Sequence, residues 1–561
     1  MDAIARAMEV KAQLTAPGSP FELSMTEQDG VKLPRYKNAP RSLAEVIESA
    51  RRDDDACFLV YRDDRWSFKR FFQEMDALGR WMLSQGVQAG DPIAIACRNR
   101  PEWVAAFCAA ARIGAVPAPL NSFGKKEELT AALNDIEPRL LVCDLDRYTR
   151  LEGDIDCRTL MVDDHMRQSG GVFHYQDLVS DHVSDVPLAI PRLNDSDPAL
   201  ILFTSGATSR AKAVLSSQLA VCQALFNIDY ISAISAMTSP EIVQNIMAQA
   251  KAPVILTAVP LFHVSGLHAQ LLTALRTGRR LVFMHKWNTQ DAINTMKAEE
   301  VTQFNGAPSM VMQLLRDQEF FSDEILAGFS GLGFGGAGLP DTLVELVMDK
   351  LPKQMVGIGF GMTETNGVGS AISGDLFRMH PKSSGMISPL MEVMVADPLG
   401  DPLPPGQNGE ICLRGVTLMD GYVGDDAATR DCMRDGWLHT GDLGYLDDNG
   451  FVYIVDRLKD VINRAGEKIA AAEVESCLLR HQAVREAAVF GVPDEETGEA
   501  VVAVVSVSPW ESVSEQNLRL HVAAILAAYK VPSKIHILEQ NLPRNPAGKL
   551  LRSQLKQAFT T

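Results

Sequence analysis

Basic residues are scarce: 53 Lys and Arg stand against 71 Asp and Glu, a formal net charge of -18. That balance excludes a general nucleic-acid or anionic-membrane binder, which needs a basic face. It also means that any polyanionic ligand must be met by local cations. The nine cysteines show neither a CxxC nor a Cys/His metal spacing, which excludes a zinc module and a disulfide framework and leads us to expect a reduced, cytoplasmic chain. The first twenty residues lack an apolar signal core. Ile4, Ala7 and Met8 make one apolar stripe there, read as a docked or frayed terminal helix. The most apolar long run, 103–120, is broken by Arg112, Pro117 and Pro119, so no integral membrane association is expected. Internal repeats and low-complexity tracts are missing too.

What remains is an ordinary globular composition, 46% hydrophobic and 22% charged, in a chain of 561 residues that is too long for one core. Between residues 42 and 352 short apolar strands (92–97, 140–144, 254–260, 280–284, 301–304) alternate with helical patterns (68–85, 102–112, 266–276, 341–350). This alternation predicts βαβ units around mainly parallel sheets. Over 383–455 the texture turns Gly- and Pro-rich, with strands and no good helix, as expected for a small β-barrel. From Asp460 helices and strands mix again in a module of roughly a hundred residues. The expected α/β architecture is a large N-terminal domain over 41–456, comprising two βαβ-type sheets and a small β-barrel after a lead-in over 1–40. A hinge at 457–460 and a smaller, mobile α+β domain over 461–561 follow.

The segment ALILFTSGATSRAKAV at 199–214 carries the strongest local chemistry. An apolar strand runs into Thr204, Ser205, Gly206, Ala207, Thr208 and Ser209, with Lys212 following. Hydroxyls and backbone N–H groups on such a turn surround phosphoryl oxygens, and an ammonium offsets their charge. The spacing is not that of a Walker A loop, and a polar strand-to-helix turn is the bland alternative. FGMTET at 360–365 ends a strand with a flat ring, a glycine permitting close backbone approach at Gly361 and Met362, and a hydroxyl and carboxylate at Thr363 and Glu364. These suit a nucleobase and Mg²⁺ beside phosphates. WLHTGDLG at 437–444 offers Asp442 to two ribose hydroxyls, and PRNPAGK at 543–549 presents Lys549 on a turn. Loop capping and solvation explain Glu364, Asp442 and Lys549 equally well one at a time.

Together and in order, with PLFHVSG at 260–266, GGAGLP at 335–340, GEICLRG at 409–415, GY at 421–422, DRLKDVI at 456–462, AGEKI at 465–469 and EVE at 473–475, they are specific. The chain resembles the AMP-forming acyl-CoA synthetases of the adenylate-forming superfamily, over roughly residues 43–556. The resemblance implies a two-step ligase using ATP, Mg²⁺ and coenzyme A on a small carboxylic acid, with no nucleic-acid partner and with room for a homodimer. It places the β- and γ-phosphates on Thr204, Ser205, Gly206, Thr208, Ser209 and Lys212. The α-phosphate falls to Thr363, Mg²⁺ to Glu364 and Thr204, and adenine to Phe360 with Gly336 and Ala337. Asp442 and Arg457 would hold the ribose, and Lys549 would bridge carboxylate and α-phosphate. Lys459 falls at the hinge, Gly466 along the thiol path, and His263 at a gate to the acyl slot.

Departures from the family pattern are Ser209, Ala211, Ala213 and Ala207 in the phosphate loop, and Ala465 and Ala471 near the thiol face. Arg210 adds a cation that partly compensates in the loop. Three readings follow: a carboxylate–CoA ligase, an adenylating enzyme serving a carrier protein or amine, and an inert nucleotide- or acyl-binding protein. Glycines beside Phe and Val around Asn227, His263, Gly306 and Gly333 suggest an apolar acyl slot with no dedicated cation for a second carboxylate. A medium- or long-chain fatty acid is the first expectation, an aromatic or alicyclic acid the second.

Overall fold

The computed structural model describes residues 3–28, 30–163, 171–182, 184, 186, 188–204, 210–335, 339–508, 513–545 and 548–559. One parallel sheet has the strand order Val116–Pro119, Pro92–Ala96, Leu140–Cys143, Arg158–Met161, Val172–His174. Its strand Pro92–Ala96 reads as a continuous apolar run because both its faces are covered, and Ile93 to Ala96 are fully buried. Helix Pro101–Arg112 starts on a proline whose missing N–H costs nothing at that position, and it is buried along its whole length.

The second sheet places Cys57–Tyr61, Arg280–Phe283, Val254–Thr257, Gln303–Gly306, Gly331–Gly335 and Met355–Phe360 side by side, all parallel. It does not stop there. Ser370–Ser373 and Gly385–Ile387 add antiparallel, followed by Phe451–Arg457, Trp437–Leu446, Gly409–Gly415 and Met391–Ala396. The strands expected as a small barrel thus continue the large sheet by unbroken hydrogen bonding. The stretch read as helix-free also holds one short helix, Asp426–Cys432, capped by the Asp425 carboxylate. Its two turns carry too few apolar positions for periodicity to register.

Two further elements differ from expectation. Strand Pro198–Phe203 does not enter a helix: it pairs antiparallel with Ala213–Ser217, which pairs with Gly421–Tyr422. The segment between is therefore a hairpin connection, not the strand-to-helix turn. The apolar helix Gln218–Thr238 begins only after it, with Ser217 accepting from the Ala220 N–H at its start. The second is the helix at 264–277, which widens to a π-type turn over Leu267–Leu272, a distortion common beside functional sites.

Residues from Ile462 onward build their own sheet, with Val484–Asp494 and Gly498–Val507 as a long hairpin and Lys534–Leu538 parallel to the latter. Helices Ala471–Leu479 and Glu515–Ile525 pack on one face of it around Val474, Val489, Ala503 and Leu518. The alternate strand residues Ala488 and Val504 face the other way, where Leu555 of the last helix, Arg552–Phe559, covers them. The C-terminal unit touches the rest through Arg480 to Asp341 at 2.9 Å and the Ala472 N–H to the Asp456 carboxylate at 3.1 Å.

Candidate active site

The neck of the 205–211 loop is closed by its flanks. The Thr204 N–H donates to the Lys212 carbonyl, and the Lys212 N–H donates to the Thr204 hydroxyl, both at 3.0 Å. The predicted ligands Ser205, Gly206, Thr208 and Ser209 lie outside the described residues, as do Gly336 and Ala337. Arg210, expected to compensate in part for missing loop donors, lines the cleft, with its guanidinium paired to the Asp135 carboxylate and donating to the Ala131 carbonyl.

Lys212 stands with Nζ 4.6 Å from the centre of the Tyr422 ring. Tyr422 belongs to the strand paired with Ala213–Ser217, and its hydroxyl donates to Glu364 Oε1 at 2.8 Å. The turn bearing Glu364 is fixed from behind. Asn366, at φ 53°, donates to the Ser216 hydroxyl at 3.0 Å and the Thr417 carbonyl at 3.1 Å. Asn tolerates this left-handed conformation better than most residues. Gly361 is needed because a Cβ there would meet the Gly367 carbonyl oxygen at 2.3 Å. The strand Ala213–Ser217 and the acidic turn are therefore tied together by hydrogen bonds, with Phe360, Met362 and Thr363 lining the same cleft.

Asp442 and Arg457 are register partners on adjacent strands, joined by an Nε to Oδ1 contact of 2.6 Å. Burial pushes the Asp442 carboxyl up to about 6, against the pull of Arg457 and Lys549. Lys549 arrives from the C-terminal unit on a turn whose Asn545 side chain accepts from the Lys549 N–H at 2.9 Å. Gly548 sits at φ 81° with its Cβ position 2.6 Å from Ala307 Cβ, so the turn docks directly on the large unit. Burial, then Arg457, lower the Lys549 ammonium, while Asp442 and Glu364 support it. Its Nζ makes no hydrogen bond or ion pair among the described residues. Lys459, on the turn Leu458–Asp460, is lowered chiefly by burial. Four cations thus converge here in an acidic chain, as a polyphosphate requires.

His263 is half-buried, its Nε2 shielded and unpartnered, and burial reinforced by Lys549 lowers it to about 3. It is a neutral wall beside the cleft and carries no charge at working pH. Gly466 alone among the described predicted site residues lies off the cleft, exposed at φ 88° on the hairpin Ile462–Arg464 to Glu467–Ile469. Sequence reasoning quoted Tyr422 within a motif but gave it no role; its pairing beside Lys212 was the missing signal.

The cleft, of about 2220 Å³, continues down the face of the second sheet. There the parallel register aligns Gln303 with Gly331 and Met355, Asn305 with Gly333 and Gly357, and Gly335 with Gly359. A Cβ at Gly333 would stand 2.1 Å from Asn305 Oδ1, so the glycines hold this slot open. Ile228, Ile231 and Ser235 of the apolar helix form the opposite wall.

Such a fold, with a cation-lined cleft between a large unit and a small docked one, has the features of an enzyme that handles a polyphosphate substrate. Comparison with known proteins narrows this. Residues 46–423 match the AMP-binding enzyme family and residues 473–549 its C-terminal domain. The chain is 29% identical over 484 residues to a 4-coumarate–CoA ligase of Humulus lupulus, covering 85% of this chain and 86% of that one. It is 28% identical over 479 residues to another from Oryza sativa subsp. japonica, covering 84% and 83%. Among solved structures, o-succinylbenzoate CoA synthetase from Bacillus subtilis, in complex with its acyl-adenylate, superposes with TM-score 0.73 at 28% identity, covering 91% and 97%. ATP-bound MatB from Rhodopseudomonas palustris superposes with TM-score 0.79 at 25% identity, covering 92% and 99%. The chain belongs to the AMP-binding enzyme family, as an AMP-forming acid–thiol ligase of the adenylate-forming superfamily that uses ATP, Mg²⁺ and CoA.

Proposed function

We propose that the chain is a carboxylate–CoA ligase whose acyl substrate lies on the glycine face, with its carboxylate between His263 and Lys549. The observation that carries this is the convergence of Lys549, Asp442, Arg457, Glu364 and Lys212 at the mouth of that slot. In the first step a carboxylate oxygen bonds to the α-phosphorus of ATP and the bond to pyrophosphate breaks. In the second the thiol sulfur bonds to the acyl carbon, the bond to AMP breaks, and the thiol proton leaves to solvent. Charge grows on the α-phosphoryl oxygens, so positioning and fixed cations supply most of the catalysis.

Lys549 bridges the two reacting groups, Lys212 and Thr204 hold the outer phosphates, Thr363 faces the α-phosphate, and Asp442 with Arg457 fixes the ribose. The donor set suits Mg²⁺: Glu364 keeps an oxygen beyond the one bonded to Tyr422, a hard ligand beside phosphates. When bound there, that ion supplies charge neutralisation. Tyr422 orients Glu364, and neutral His263 shapes the carboxylate end without moving a proton. Lys459 serves as the pivot about which the small unit turns to bring Gly466 to the thiol.

The thiol's polyanionic end has a second cleft available, of about 400 Å³, where Arg62, Arg98, Arg147 and Arg150 stand beside Asp144, Asp146 and Asp163. Asp144 and Asp146 pair with Arg147 and Arg150 and leave Arg98 as a cation to offer. Arg98 lies 3.4 Å over the Phe123 ring, has an unpartnered Nη1, and is lowered to about 10 chiefly by burial. Phe123 touches Phe262, which touches His263.

The slot from Gly335 to Gly331 covers five strand residues, which span about 13 Å end to end. This length suits an arylalkenoic or medium-length acid better than a long-chain one. The relatives favour the aryl class, and the fatty-acid expectation finds no support among them. The test is acid-dependent ATP–pyrophosphate exchange over a panel of cinnamic, benzoic and aliphatic acids, followed by CoA-dependent AMP release. Exchange and CoA-dependent release with a compact aryl or medium-length acid are expected. Exchange with no acid, or release that ignores CoA, would contradict the proposal.

A further inference from the structure

The slot ends on a charge. Gln303 lies across Gly331, its Cγ 3.3 Å from where a Cβ would stand, at the end of the glycine face opposite Phe360. Arg279 Nη1 donates to Gln303 Oε1 at 2.9 Å, and both side chains line the cleft. Two arginines compete here for one carboxylate. Arg276 takes it: its Nη1 meets Asp229 Oδ2 at 2.5 Å, and its other nitrogens donate to the Leu225 and Leu272 carbonyls. Arg279 is left with a neutral amide and no carboxylate within 4.0 Å among the described residues. Burial lowers its basicity, with Asp229 acting only from a distance.

A half-buried guanidinium without an anionic partner is costly unless a ligand supplies one. Its unused N–H groups present the planar fork that matches a carboxylate. We infer that Arg279 and Gln303 form a distal anion site, so that the preferred substrate is an acid carrying a second carboxylate at its far end. This inference departs from the expectation of no dedicated cation in the slot. The inference rests on the glycine face being the acyl site.

The separation fits the chemistry. One carboxylate at Lys549 and one at Arg279 lie at opposite ends of a slot of about 13 Å, which an extended eight-carbon diacid or a para-carboxylated cinnamate fills once a hydrogen bond at each end is added. Distance then selects which carboxyl is activated: the group held by Arg279 cannot reach the α-phosphate.

The experiment compares each diacid with its monomethyl ester, octanedioate and 4-carboxycinnamate serving as the two cores. In ATP–pyrophosphate exchange the diacid is expected to have a kcat/KM at least about tenfold above its ester, seen mainly in KM, as a charge-assisted pair provides. Arg279→Gln is expected to bring that ratio close to one, and Arg279→Lys to restore part of it. Equal use of diacid and ester by the native enzyme, or a ratio that Arg279→Gln leaves unchanged, overturns the inference while the ligase reading stands. Exchange with neither partner of either pair removes the acyl-site reading itself, and the inference falls with it.

Discussion

Asp442 shows how a single binding residue is held at a cost. Its carboxyl titrates near 6 in the folded chain against 3.8 when free, because burial outweighs Arg457. Between those values the folded state keeps a proton that the unfolded chain has lost. This contribution stabilises the fold below about pH 4 and is gone once the pH rises through 6. Above that, the ionised buried carboxylate costs up to about 3 kcal/mol. Asp442→Asn is therefore expected to melt at a higher temperature than the native chain at pH 7.5 and at the same temperature near pH 4, while binding ATP more weakly. Arg457 keeps water when its partner is neutral, being 42% exposed. Thermal scans at the two pH values with ATP titrations check this; equal melting at pH 7.5 would contradict it. Glu364 and Lys549 were legible in the sequence because each sits in a short turn whose neighbours restrict it, and Asp442 because it follows Gly441, at φ 70°, within its strand. Arg279 was not. It lies between a helix and a strand with no local motif, and its meaning comes from Asp229, far back in the chain, being claimed by Arg276.

At the scale of elements, alternating strands and helices were readable wherever the apolar run was continuous, as in Pro92–Ala96 and Val254–Thr257. The phosphate hairpin was not, since the partner strand Ala213–Ser217 is short and runs directly into a helix. The merging of the antiparallel strands into the parallel sheet was hidden too, because pairing between Gly385–Ile387 and Phe451–Arg457 spans a long loop closure. One element stores strain. The hairpin Ile462–Arg464 to Glu467–Ile469 turns through Ala465 at φ 50° and Gly466 at φ 88°. A Cβ in the left-handed region is unfavourable. Ala465→Gly is expected to raise stability by about 1 kcal/mol, offset in part by the freedom glycine gains in the unfolded chain. Denaturant titration at constant slope checks it, and a loss of stability would show that the turn gains from its methyl group.

For the whole molecule, function depends on residues far apart in the chain sharing one cleft. Lys212 and Lys549 belong to different units, yet Tyr422, Glu364 and Asp442 bring both within one electrostatic neighbourhood. Among the described residues the small unit meets the large one through Arg480 and Ser476 with Asp341, Ala472 with Asp456, and the Gly548 turn against Ala307 and Ser309. Polar contacts of this kind suit a unit that leaves and returns. If Lys549 serves the first half-reaction alone, then rotation of the small unit removes it before the thiol attacks. The most direct measurement follows Lys549→Ala through both halves separately: ATP–pyrophosphate exchange with a good acid, and thioester formation from supplied acyl-adenylate and CoA. Exchange is expected to fall by about a thousandfold or more, in line with loss of a fixed charge at the reacting phosphoryl group. Thioester formation should stay within about threefold of the native rate, since each tenfold step corresponds to only about 1.4 kcal/mol. Equal loss in both halves would contradict the assignment of Lys549 and, with it, the exchange of active-site parts between two steps.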